Sequence, residues 1–121
     1  MKKFILWTII ILFVLVVHNP AFWPVSCIRS YVLMRIPAET SMTKAEEKIY
    51  YWTSWDMNKF PNSQGPFPND NAKTQAVVKC IKVHLGEYKI PFVTCDAVAY
   101  LGFDEDEKLI DVSANKEYDS L

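Results

Sequence analysis

The chain has 121 residues, with 13 basic and 14 acidic side chains, a net charge of −1, and 50% of its residues apolar or aromatic. Setting aside an apolar N-terminal run leaves about 90 residues, enough for one small domain and too few for two. Without Lys2 and Lys3 the remainder carries 11 basic groups against 14 acidic ones, so no basic stripe neutralises phosphates and nucleic acid is excluded as a partner.

Phe4 to Val17 contains no charge and only Thr8 as a polar interruption. At about 1.5 Å per residue this run covers about 21 Å, less than the roughly 30 Å of a hydrocarbon core. Continued through His18, Asn19 and Pro20 to Trp23, it reaches spanning length, with Trp7 and Trp23 as interfacial aromatics. Neither Val17 to Asn19 nor Asn19 to Ala21 offers the small residues that a signal peptidase needs at −3 and −1. An uncleaved anchor over residues 1–25 is therefore expected ahead of a cleaved signal or a lipidated Cys27, where Pro24 stands in place of the usual leucine. Lys2 and Lys3 favour an N-terminus inside. The expectation is a single-pass protein of a bacterial inner membrane, with residues 4–23 in the lipid bilayer and the body in the periplasm.

Residues 26–40 are mixed, without a clear period, and are read as a connector; residues 41–121 form the folded domain. Thr43 and Glu46 have the spacing of a capping box. Met42, Ala45, Ile49 and Trp52 then recur at helical spacing, which predicts an amphipathic helix from about Thr43 to Trp55 with those four residues on its core face. Asp56 to Asn71 holds Pro61, Pro66, Pro68, Gly65 and four asparagines and reads as a long exposed loop. Its two aromatics, Phe60 and Phe67, either tuck back onto the core or contact a partner.

Gln75 to Leu85 is ambiguous. Asp70 or Asn71 can cap a helix that Gly86 stops, whereas Val77, Val78, Ile81 and Val83 favour a strand. A hairpin loop at Gly86 to Lys89 places Leu85 opposite Ile90, Lys79 opposite Asp96 and Cys80 opposite Cys95, and this pairing favours the strand. It also predicts a Cys80–Cys95 disulfide in an oxidising compartment. Phe92 to Phe103 and Lys108 to Ala114 complete the expected fold: α+β, with an N-terminal transmembrane helix, one amphipathic helix and a three-stranded antiparallel meander.

The Leu85-Gly86-Glu87-Tyr88 and Gly102 to Val112 stretches resemble the strand-turn-strand endings of small bacterial envelope proteins, distantly those of SmpA/OmlA-type outer-membrane assembly lipoproteins. The resemblance covers about the last 45 residues and implies an architecture, with no functional residue carried over.

Asp104 to Glu107 suggests calcium, but Lys108 and Leu109 stand where an EF-type loop requires glycine and further oxygen ligands, so a solvated turn is expected. Cys80 and His84 lie four apart, and no third group is identifiable to orient the imidazole. Glycine-rich phosphate loops and hydrolase motifs are absent from the sequence. The reading is a non-enzyme without a catalytic, cofactor or metal site. Tyr51 and Trp55, off the predicted core face, are with Phe60 and Phe67 the candidate contacts for a protein partner. A membrane-anchored protein-binding module is thus expected; the alternative is an immunity protein against an envelope-acting antibacterial toxin, presenting its acidic turn.

Overall fold

The computed structural model describes residues 1–68 and 71–120. In chain order these form α1 (Lys2–His18), a short 3-10 turn (Pro20–Phe22), α2 (Val25–Arg35), α3 (Met42–Trp52), β1 (Asp56–Phe60), α4 (Ala72–Gln75), β2 (Lys79–Ile90), β3 (Val93–Phe103) and β4 (Leu109–Ser120). The strands make one antiparallel sheet in the order β1-β2-β3-β4. The α+β class stands, but the sheet has four strands where three are expected. The additional strand is Asp56–Phe60, which pairs with β2 from His84 to Cys80. It is an edge strand, where the prolines and asparagines that follow it disturb no further ladder.

The transmembrane span is the second correction: among the described residues no helix is long and apolar enough to cross a membrane. Helix α1 stops at His18, and its 17 residues extend about 25 Å. Asn19 is extended, with φ −112° and ψ 106°, and its side chain accepts a hydrogen bond from the Ala21 amide to start the 3-10 turn. The residues that would complete a span belong instead to the folded body. Ala21 is wholly buried, Phe22 stacks on Tyr88 at 4.7 Å, and Trp23 meets Tyr31 edge-on at 5.1 Å. The indole of Trp23 also donates towards the Val16 and Val17 carbonyls, satisfying the open end of α1. Helix α1 itself buries no side chain.

Residues 25–35, all but the first within the stretch where the sequence shows no period, form α2. Its Ile28 and Val32, with Ile36 just beyond, are fully buried, each worth roughly 1.5–3 kcal/mol relative to exposure. They join Met42, Ala45 and Ile49 of α3 against Ile81, Val83, Ala97, Ala99, Leu101 and Phe103 of the sheet. One face of the sheet is thus covered by helices. On the other, Phe67 and Val77 close over Cys80, with Tyr100 and Ile110 beside them.

Helix α3 begins one residue before the expected start, because Ser41, not Thr43, is the cap: its hydroxyl accepts from the Lys44 amide. Ser41 is fixed there by a bridge to Lys108, and the Met42 amide donates to the Glu107 carbonyl. The ambiguous segment resolves into a single helical turn capped by Asn71, followed by a strand from Lys79; the alternative cap Asp70 lies outside the described residues.

The β2–β3 turn is not at Gly86. It lies at Pro91-Phe92, between the paired Ile90 and Val93. Proline sets the first corner and Phe92 takes φ 81° at the second, the pattern of a type II turn. Gly86 instead sits inside β2 at a β-bulge, where an added Cβ would lie 2.9 Å from the Asn19 side-chain oxygen and 3.1 Å from Pro20. Its missing side chain makes room for the N-terminal connection.

That register removes the expected disulfide. Cys80 pairs with Gly102 and Cys95 with Tyr88, which puts the two cysteines on opposite faces of the sheet and about 23 Å apart along β3. A disulfide needs Cα atoms within about 7 Å. All three cysteines are free thiols, Cys27 exposed and the other two buried.

Candidate protein-docking site

The outer surface of α3 is the most distinctive feature of the folded body. Met42, Ala45 and Ile49 turn inward at helical spacing, so the residues after Ile49 are carried round to solvent. Tyr50, Tyr51 and Trp52 are 72–77% exposed. The rings of Tyr50 and Tyr51 meet edge to face at 4.9 Å. Beside them a groove of about 450 Å³ is lined by Arg35 and Ile36 from the end of α2, Lys44, Glu47, Lys48, Tyr51 and Trp52 from α3, and Thr53. Lys44, Lys48 and Tyr51 share a flank because they are four and three residues apart. Three cations against one carboxylate give this groove a positive balance in a chain whose net charge is −1.

The sequence candidates separate. Tyr51 lies on this surface, but Trp55 does not: it is partly buried against the core, its ring 6.0 Å from that of Tyr31. Trp52, assigned to the core face, is exposed. The exchange follows from the helix ending at Trp52. The Thr53 hydroxyl donates to the Ile49 carbonyl and accepts from the Trp55 amide, so the chain turns inward and delivers Trp55 to the core. Phe67 is only 6% exposed and packs with Val77. Phe60, at 41%, borders a small depression with Pro66 and Tyr100 on the other side of the sheet. Tyr51, Trp55, Phe60 and Phe67 therefore form no common surface. Arg35 and Lys48, absent from the sequence candidates, line the groove; the Lys44–Lys48 spacing signals a basic helical flank, whereas the approach of Arg35 depends on tertiary packing.

Several other titratable groups are engaged within the fold. The Lys82 ammonium is 3.1 Å from Glu117, and that hydrogen bond, foremost among several causes, holds its pKa above the usual lysine value. Burial pushes the Cys80 thiol up to about 11, the opposite of what a nucleophile requires. Cys80 and His84 share a strand face but are separated by about 13 Å at four residues' rise. At the acidic turn, Lys79 pairs with Glu107 at 2.7 Å and the Lys108 amide donates to Asp104.

No protein-family model matches the chain, and no curated protein or solved structure compared with it matches either.

Proposed function

We propose that this chain is a protein-binding module that holds an acidic segment of a partner protein, anchored by an apolar side chain, in the groove between the end of α2 and the outer face of α3. The observation that carries the reading is the run Tyr50-Tyr51-Trp52, exposed beside three cations. Tyrosine and tryptophan offer large contact areas at low entropic cost and are enriched at interface hot spots. The local charge favours carboxylates and would speed encounter with them.

The same reading gives α1 a lipid contact. Its apolar side chains are exposed around the whole circumference, and a helix apolar all round requires an apolar surrounding. Acyl chains provide one without any requirement that the helix cross the layer. The alternative, an immunity protein presenting the acidic turn, draws less support, because Asp104 and Glu107 are engaged internally and leave Glu105 and Asp106 to solvent.

A photoreactive residue in place of Tyr51, introduced in the native host, tests the docking reading. The expected result is one dominant adduct to an acidic protein segment, lost when Lys44 and Lys48 are both changed to glutamate. An identical adduct pattern from a probe at Glu105 would refute a specific groove.

A further inference from the structure

We propose that His84, Glu87 and Asp96 form a binding site for one divalent transition-metal ion of the zinc class, on the sheet face turned away from the helices. His84 and Glu87 are three residues apart, and in a regular strand they would point to opposite faces. The bulge between His84 and Gly86 changes this. His84 pairs with Val98, Gly86 with Ala97 and Glu87 with Asp96, so one residue is inserted and Glu87 returns to the face of His84, directly opposite Asp96. The imidazole Nε2 lies 3.1 Å from Asp96 Oδ1, and one donor atom from each of the three side chains lies within 4.8 Å of the others.

These distances suit a metal. Two donors bound at about 2.0–2.1 Å in tetrahedral geometry stand about 3.3 Å apart. The histidine–aspartate pair already has that separation, and Glu87, exposed at the strand surface, holds a carboxylate oxygen within 4.8 Å of both. The backbone beneath is fixed from the opposite face: the Asn19 side-chain amide donates to the Glu87 carbonyl at 3.0 Å, and Pro20 fills the space over Gly86. The ligand-bearing kink is thereby held before any ion arrives.

Beyond the His84–Asp96 contact, the charge also lacks compensation. Among the described residues no lysine or arginine pairs with Glu87 or Asp96, and Lys82, on the same face, is engaged by Glu117. Asp56, paired with His84 on β1, adds a further carboxylate to that face. One imidazole nitrogen with two carboxylates fits borderline divalent ions better than calcium or magnesium, which prefer oxygen throughout, or thiolate-seeking ions. Three protein ligands leave a fourth position for water.

The chain has only two histidines, His18 and His84, so their imidazole signals are readily told apart by NMR. Full-length protein freed of metal is titrated with zinc, following those signals together with calorimetric stoichiometry. The expected result is one ion per chain, a shift confined to His84, and at least ~10-fold weaker binding in Glu87→Gln and in Asp96→Asn, while His18→Ala binds as the parent does. Glu87→Gln alters an exposed side chain, and its metal-free melting should match the parent, which separates lost ligation from lost fold. Zinc shifts at His18 instead, no shift at either ring, or affinity unchanged in both carboxylate variants would overturn the site and leave His84–Asp96 as an ion pair alone.

Discussion

Replacing the two tryptophans that flank the end of α3 separates the packing of this helix from its surface. Trp55 is partly buried against the core and meets Tyr31 edge-on at 6.0 Å, whereas Trp52 is 77% exposed. Truncating a fully buried tryptophan to alanine costs about 3–5 kcal/mol, and partial burial brings Trp55→Ala to roughly 2–3 kcal/mol. For a body of about 100 residues this corresponds to a fall in Tm of roughly 10–20 °C. Trp52→Ala removes little packed area and should shift Tm by no more than about 4 °C. Thermal unfolding of both variants, followed by near-ultraviolet circular dichroism under identical solution conditions, provides the comparison. In the docking assay the order reverses, with Trp52→Ala weakening the Tyr51 photo-adduct. If Trp52→Ala destabilises more than Trp55→Ala, the helix is rotated relative to this account and the proposed groove has the wrong walls.

Other outcomes follow from local geometry. Ser41→Ala should cost about 1 kcal/mol by removing the acceptor for the Lys44 amide, measurable by denaturant titration. Gly102→Ala would put a Cβ 2.8 Å from Phe67 and 2.9 Å from Val77, costing about 1–3 kcal/mol; a smaller side chain at Phe67 should recover part of that loss in a double-mutant cycle. Alkylation of the native protein should modify Cys27 first and Cys80 far more slowly, as resolved by peptide mapping, because Cys27 is exposed and burial holds the Cys80 thiol protonated up to about pH 11. The same thiol makes stability pH-dependent: above its ordinary value near 9 the unfolded chain releases the proton while the folded chain retains it, so the contribution is intact below pH 9 and lost as pH rises towards 11. Cys80→Ala should flatten that slope in unfolding measurements at pH 8 to 11.

Much of the body is legible where a pattern and its burial agree. The helical spacing of Met42, Ala45 and Ile49 locates α3 and three of its core residues. The β-branched run through Ile81 and Val83 and the apolar run into Phe103 locate β2 and β3. The pattern fails where burial is decided by packing between elements. Helix α2 carries apolar and polar residues without a sharp stripe, yet Ile28 and Val32 are fully buried because the sheet and α3 enclose that side. Trp52 continues the inward spacing of α3 by sequence, but the helix ends there and the Thr53 hydrogen bonds send the next tryptophan inward in its place. The proposed docking surface is consequently half legible, Tyr51 by its position off the core face and Trp52 not at all.

A glycine also explains the misplaced β2–β3 turn, since local reading treats Gly86 as a turn signal while Gly86, like Gly102, lies inside a strand as a contact surface. At Gly86 the absent side chain admits Asn19 and Pro20 on the face covered by helices; at Gly102 it admits Phe67 and Val77 on the opposite face. Each glycine lets a distant segment lie directly on a strand, and neither reverses the chain. Reversal falls to Pro91-Phe92, where the second residue tolerates φ 81° without being glycine, so nothing in a glycine count points to it. The displacement of the turn from Gly86 to Pro91 separates Cys80 from Cys95. The bulge at His84 and Gly86 then gathers His84, Glu87 and Asp96 on one face. The lost disulfide and the proposed metal site therefore both depend on the register of β2 against β3, and a structure with the turn at Gly86 would have neither the second nor any reason to exclude the first.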